Sequence, residues 1–143
     1  AWTGDDSVGK VKKAVQLLIG VGPGTTPSGD DVLIGYLGAL DLLSPRIPQA
    51  DILLVVLRAI LADAASLTSP VSRVHMEWAI QGFYSETLLG LLESLKQPDM
   101  QWINSCLMRV LETGASSGTD MLIGLSTALE HAKEAGNGSS ILA

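Results

Sequence analysis

The sequence predicts an all-α protein, a compact bundle of about seven helices that forms a single domain over residues 1–143. Apolar residues recur at spacings of three and four along the chain, which is the period of helices that bury one face. No segment shows the alternation of apolar and polar residues that is typical of a half-buried strand. Aromatic residues, which strands favour, make up only 4% of the chain. Helices are therefore the only regular structure that we expect.

Capping residues and helix breakers predict where the helices begin and end. Ser69 before a proline, Ser85 and Asp99 are the predicted N-caps of three helices. The third helix is apolar nearly all round, which predicts burial at the centre of the bundle. The predicted helices cover about residues 7–19, 28–43, 49–66, 70–81, 85–96, 100–113 and 117–135, and residues 136–140, rich in glycine and serine, are expected to form a flexible tail.

Composition and charge exclude several classes of function. The net charge of −6 and the pI near 4.7 give no basic surface for nucleic acid, so no nucleic-acid partner is predicted. The longest apolar run, residues 52–62, is too short to cross a bilayer, so no membrane partner is predicted either. A single cysteine, Cys106, and the lack of a signal-peptide pattern favour a cytoplasmic location. The apolar content of 47% suggests surface that contacts other protein subunits or a second copy.

A sequence repeat is the most specific feature of the chain. Residues 28–40 and 117–129 share eight of 13 positions at a constant offset of 89 residues. Both segments begin with Ser-Gly-x-Asp and continue into an apolar helix. We therefore predict two pseudo-symmetric loop-helix units, near residues 20–43 and 114–135, whose loops meet at one site.

The Ser-Gly-x-Asp motif has two interpretations. Ser28 with Asp31, and Ser117 with Asp120, have the spacing of a capping box, in which both side chains satisfy free amide groups at a helix start. Alternatively, the same side chains bind a ligand. The sequence leaves both interpretations open.

The glycine-rich loop before the first motif favours ligand binding. Its glycines permit unusual backbone angles, and a helix N-terminus after such a loop presents amide groups to a phosphate or carboxylate. Three carboxylates near a bound anion would require a cation such as Mg²⁺, and Asp30, Asp31 and Asp120 are its candidate ligands. The candidate ligand-binding residues are Gly22, Gly24, Thr26, Ser28, Gly29, Asp30, Asp31, Ser117, Gly118 and Asp120, and no catalytic residue is predicted.

The remaining polar and glycine candidates have structural explanations. Gly35 and Gly124 lie inside predicted helices at equivalent positions of the repeat, which favours a close helix crossing over ligand contact. His75 and Glu77 are two residues apart on one helix, so their side chains diverge and packing is expected. His131 is expected to be solvated near a helix C-terminus, and Cys106, the free cysteine, to be a small buried residue.

Two segments of the chain resemble a known family. Gly-Val-Gly-Pro-Gly-Thr-Thr-Pro-Ser-Gly-Asp-Asp-Val-Leu-Ile-Gly, residues 20–35, and Gly-Ala-Ser-Ser-Gly-Thr-Asp-Met-Leu-Ile-Gly, residues 114–124, are similar to the bacterial oxamate carbamoyltransferase subunit family (AllH-like), encoded with allantoin-degradation genes. The resemblance covers most of the chain. Because family members generally extend further at the N-terminus, it implies that the chain is the C-terminal part of a longer protein.

The resemblance implies a function that the residues alone do not. Several subunits of such a complex together transfer a carbamoyl group between oxalurate or oxamate and phosphate. We therefore expect a helical subunit that binds a small anionic metabolite, of the carbamoyl phosphate, oxamate or oxalurate class, at the paired loops. The alternatives are a non-catalytic interaction module that docks on partner subunits and a metal-dependent hydrolase.

Overall fold

The computed structural model describes the backbone of residues 7–139 and the side chains of residues 8–135. This part of the chain contains seven α-helices and one short 3-10 helix, and no strand. The helices form an all-α bundle, which confirms the predicted fold class. They are α1 (Ser7–Leu18), α2 (Ser28–Leu43), α3 (Pro48–Ala64), α4 (Pro70–Ile80), α5 (Glu86–Ser94), α6 (Met100–Leu111) and α7 (Ser117–Ser139), with the 3-10 helix Ala65–Leu67 directly after α3.

Side-chain caps fix the starts of three helices where the sequence predicts them. The hydroxyl of Ser69 accepts a hydrogen bond from the Ser72 amide at the start of α4. Ser85 caps α5 in the same way, and the Asp99 carboxylate caps α6. Each cap satisfies an amide group that has no partner inside its helix, so these boundaries follow from local chemistry.

Helix α2 is the centre of the bundle, and α1, α3, α4, α5 and α7 all pack against it. Its side chains Leu37 and Leu40 are fully buried. The prediction that the third helix is central was wrong, because α3 exposes Ile52 and Val55 and buries only one face. An apolar composition alone does not distinguish a central helix from a surface helix with exposed apolar residues.

Helices α2 and α7 cross in close contact. A Cβ atom built on Gly35 would lie 1.9 Å from the carbonyl oxygen of Met121, and one built on Gly124 would lie 1.9 Å from that of Val32. The prediction of a close crossing at both glycines is therefore confirmed. The two contacts are reciprocal, because Val32 and Met121 are also equivalent positions of the sequence repeat. The pseudo-symmetry of the complete loop-helix units stays a prediction.

Helix α7 is longer than the sequence predicts. It continues through residues 136–139, which were expected to belong to a flexible tail, and residue 140 lies outside the described residues. Extending an existing helix costs far less free energy than nucleating one, so α7 accommodates glycine near its end. No helix within residues 7–139 has the length and apolar character needed to cross a membrane.

Candidate functional site

Two loops lead into the helices that cross. The first loop, residues 19–27, joins α1 to α2, and the second loop, residues 112–116, joins α6 to α7. Gly22 in the first loop has a φ of 124°, and a Cβ atom at this position would lie 2.7 Å from the Ser28 amide nitrogen. Gly114 in the second loop has a φ of 59°. Both backbone conformations favour glycine, which lets the chain turn sharply into each helix.

Asp30 anchors the first loop to the bundle. Its carboxylate is fully buried and accepts hydrogen bonds from the Gly20 amide at 2.7 Å and from the hydroxyls of Thr68 and Ser72. The Ser69 hydroxyl also donates a hydrogen bond to the carbonyl oxygen of Thr25 in the first loop. The carboxylate of Asp30 is thereby committed to holding the loop against the start of α4.

The capping-box interpretation was wrong for the first motif. Pro27, not Ser28, is the N-cap of α2, and it makes no side-chain hydrogen bond to the helix. A capping box also needs a backbone amide on the N-cap residue, which proline lacks. Asp31 is therefore not explained by capping.

The two loops meet at Thr26 and Ser117. The hydroxyl oxygen of Thr26 lies 3.1 Å from that of Ser117, the first residue of α7. The Ser117 side chain also forms a hydrogen bond with Asp31 at the start of α2. Residues 91 positions apart in the sequence thus build one polar cluster.

Asp31 is the titrating group of this cluster. Burial raises the pKa of its carboxyl from 3.8 to about 6, against the hydrogen bond from Ser117, which lowers it. The negative charges of Asp120 and Asp30 raise the pKa further. A carboxyl group with such a pKa changes its protonation state close to neutral pH, as many catalytic acids do.

Each Ser-Gly-x-Asp motif contributes one unsatisfied carboxylate oxygen. Oδ2 of Asp31 and Oδ2 of Asp120 are both buried and accept no hydrogen bond from any residue that the structure describes. Buried polar atoms in proteins nearly always have a partner, because leaving one unsatisfied costs about 1–3 kcal/mol. Two such atoms stand at equivalent positions of the repeat, so Asp31 and Asp120 are acids whose burial the hydrogen bonds within the bundle do not fully account for.

A cavity of about 500 Å³ opens beside Asp31. Its volume lies in the range of pockets that hold small molecules. Thr26 of the first loop, Thr113 of the second loop and Ser117 at the start of α7 form one wall of the cavity. Helix α4 and the segment before α5 form the opposite wall. The lining residues are Thr26, Asp31, Ile34, Val74, His75, Trp78, Phe83, Tyr84, Ser85, Thr113, Ser117 and Met121.

Several predicted ligand residues, Asp30 and Asp120 among them, lie outside the cavity lining. A Cβ atom on Gly29 or Gly118 would lie 1.8 Å from a carbonyl oxygen of α1 or α6, so both glycines permit close helix contacts instead. Their amides donate to the carbonyl oxygens of Val21 and Thr113, at 2.9 and 3.1 Å, and are not available to an anion. Gly22, Gly24 and Ser28 shape the first loop without lining the cavity.

The three predicted metal ligands do not converge. Asp30 directs its carboxylate to Gly20, Thr68 and Ser72, whereas Asp31 and Asp120 form a separate pair. Among the described residues, no three side chains of histidine, cysteine, aspartate or glutamate form a group that could hold a metal ion. The predicted Mg²⁺ site of three aspartates is therefore not present in this arrangement.

The remaining sequence candidates have mixed outcomes. His75 lies at the exposed edge of the cavity, while Glu77 pairs with Arg73 on the outside of α4 at 2.8 Å. Cys106 is buried, as predicted. The prediction for His131 was wrong, because its Nδ1 lies 2.8 Å from the hydroxyl oxygen of Tyr36 on α2 and its side chain is half-buried.

Sequence reasoning missed the aromatic wall of the cavity. Trp78, Phe83 and Tyr84 line it, and they are half of the aromatic residues in the chain. This clustering of a rare residue class around Gly82 is the signal that would have found them. The hydroxyl of Tyr84 donates to Asp41, and burial together with this bond raises the pKa of the tyrosine, so its ring rather than its hydroxyl serves the cavity.

Residues 18–129 match the sequence model of the family described as oxamate carbamoyltransferase subunit AllH. The chain belongs to the AllH family. The AllH match includes both Ser-Gly-x-Asp motifs and every residue that lines the cavity. No solved structure matches the chain.

Proposed function

We propose that this chain is a subunit of a carbamoyltransferase complex and binds a small carbamoyl-bearing metabolite in the cavity between its two loops. The substrate class is that of oxamate, oxalurate and carbamoyl phosphate. Membership of the AllH family supports the reaction class, and the unsatisfied carboxylate oxygen of Asp31, a residue that lines the cavity, carries the placement of the site.

The chemistry of a carbamoyl group suits this pair of aspartates. A carbamoyl or oxamate amide presents N–H donors, and the Asp31 carboxylate at the cavity wall is an acceptor, with the second acceptor, Asp120, next to it at the start of α7. The hydroxyls of Thr26 and Ser117 hold the Asp31 carboxylate in place, and the apolar side chains of Ile34 and Met121 line the cavity beside it. This arrangement positions the amide without a covalent nucleophile.

Asp31 is also suited to moving the proton that the reaction requires. When a carbamoyl group passes from oxalurate to phosphate, its C–N bond breaks, a C–O bond to phosphate forms, and the oxamate nitrogen takes up a proton. A carboxyl group with a pKa of about 6 is able to donate this proton and to accept it in the reverse direction.

The other two candidate functions have weaker support. A metal-dependent hydrolase needs converging ligands, and Asp30 faces away from Asp31 and Asp120. A purely structural interaction module does not account for two buried carboxylate oxygens without partners. The exposed aromatic residues beside the cavity do favour protein contacts, in addition to substrate binding.

Turnover by the assembled complex tests this proposal. Asp31→Asn and Asp120→Asn keep the size of each side chain and remove its charge, and Asp63→Asn, at an exposed position of α3, is the control. We expect Asp31→Asn to lower the rate of carbamoyl transfer by about a hundredfold or more, because it removes both the acid and an acceptor. Asp120→Asn should raise the KM for oxamate, and the control should behave as wild type. A wild-type rate in Asp31→Asn would refute the proposed site.

A further inference from the structure

The cavity lacks the positive charge that its proposed substrate needs. Oxamate, oxalurate and carbamoyl phosphate all carry a carboxylate or phosphate group. No lysine or arginine is among the cavity-lining residues that the structure describes, and Asp31 and Asp120 add negative charge. His75 at the edge is the one lining residue in this set able to become a cation. An anion held beside two carboxylates requires a cation from elsewhere.

The mouth of the cavity carries an exposed apolar surface. Its side chains Val74, Trp78 and Phe83 are 49%, 57% and 58% exposed, and all three also line the cavity. The rings of Trp78 and Phe83 pack edge to face with their centroids 5.8 Å apart, which gives a preformed aromatic anchor. Exposed aromatic residues that become buried when two proteins bind supply much of the binding energy of protein interfaces.

Charge complementarity indicates what covers this surface. A second copy of the chain, with its net charge of −6, would add negative charge to a site that already holds an excess. A subunit with a basic loop supplies the positive charge that the cavity lacks. The negative potential of the cavity attracts such a loop.

We propose that the cavity mouth, formed by Val74, Trp78 and Phe83, docks a companion subunit of the transferase that inserts an arginine or lysine side chain into the cavity to hold the anionic end of the substrate. The inference rests on the proposed function and names the partner that completes the site. Asp31 then holds the amide end and the inserted cation holds the anionic end of the same molecule.

Binding of the purified companion subunits to this chain tests the docking surface. We expect Trp78→Ala to weaken the dissociation constant at least about tenfold, as interface hot spots do. Ile52→Ala, which removes an equally exposed apolar side chain from α3, is the matched control and should bind within about twofold of wild type. Thermal unfolding checks that both variants fold. Wild-type affinity in Trp78→Ala would overturn the proposal.

The salt dependence of the same binding tests the inserted cation. We expect Asp31→Asn to lower the affinity and to flatten its decrease with salt concentration, because one charge of the pair is lost. An unchanged salt dependence would overturn the proposal that a cation is inserted into the cavity. Self-association of this chain through the cavity mouth would overturn it as well.

The two proposals fail in different ways. If Trp78→Ala leaves assembly unchanged while Asp31→Asn abolishes turnover, the docking inference fails and the proposed function stands. Full turnover in Asp31→Asn would instead refute the proposed function, whatever Trp78→Ala does to assembly.

Discussion

Asp30 and Asp31 are neighbours in the sequence, but their side chains point about 100° apart around α2. Asp30 is satisfied by three donors, two of which come from Thr68 and Ser72. Asp31 retains an oxygen without a partner and faces the cavity. The sequence shows that two acids stand at a helix start, but their separate roles depend on residues about 40 positions away, which no local pattern reveals.

The buried charge of Asp31 predicts a pH-dependent cost in stability. Because the pKa is raised to about 6 from 3.8, the folded chain holds this proton more tightly than the unfolded chain. This proton binding stabilises the folded chain. Its contribution to the free energy of unfolding is complete below about pH 3.8 and is lost as the pH rises through about 6. Asparagine has no such proton to lose, so Asp31→Asn should be more stable than wild type by about 2 kcal/mol above pH 7.

Urea unfolding at several pH values between 4 and 8 measures this difference. The gain in Asp31→Asn should shrink as the pH falls toward 4, because the wild-type carboxyl becomes protonated in the folded chain and partly so in the unfolded chain. Asp63→Asn, which removes an exposed charge from α3, should change the free energy of unfolding by less than about 0.5 kcal/mol. A variant at position 31 that is less stable than wild type at pH 7.5 would contradict the cost of burial that we assign to the Asp31 carboxylate.

Helix boundaries follow from short-range rules, and the sequence predicts them well. The caps Ser69, Ser85 and Asp99 each satisfy an amide three residues away, so nothing distant is needed to recognise them. Which helix lies at the centre depends on packing against several other elements, and the apolar surface of α3 was misleading for that reason. The aromatic cluster around Gly82 is visible in the sequence, but that it forms a cavity wall depends on the packing of α4 against α2.

The crossing of α2 and α7 predicts opposite effects at two helical glycines. Gly124→Ala places a Cβ atom 1.9 Å from a carbonyl oxygen of α2, so the helices must move apart, at a cost of about 3 kcal/mol or more. Gly90→Ala in α5 meets no atom within 4 Å and should stabilise the chain by about 0.5–1 kcal/mol, since alanine restricts the unfolded chain and favours a helix. Thermal or urea unfolding compares the two, and equal effects would contradict the crossing geometry.

At the scale of the whole molecule, the bundle brings two distant loops to one cavity. Helix α2 carries Asp31 and α7 carries Asp120, and the glycines at their crossing set how closely the two helix starts approach. The sequence repeat led to the prediction that the loops meet at one site, and the contact between Thr26 of the first loop and Ser117 at the start of α7 brings the two segments together. The opposite wall, which determines the size of the cavity and its exposed mouth, lies outside the repeat.

Methionine methyl groups provide the most direct test of the proposed substrate site. Met121 lines the cavity, whereas Met100 and Met108 lie exposed on α6 and serve as internal controls. In the assembled complex, with the four methionine methyl groups of this chain labelled with ¹³C, addition of oxamate should shift the NMR signal of Met121 and leave the signals of Met100 and Met108 in place. The shift should disappear in Asp31→Asn. An unperturbed Met121 in a complex that still turns over oxamate would mean that the substrate binds elsewhere.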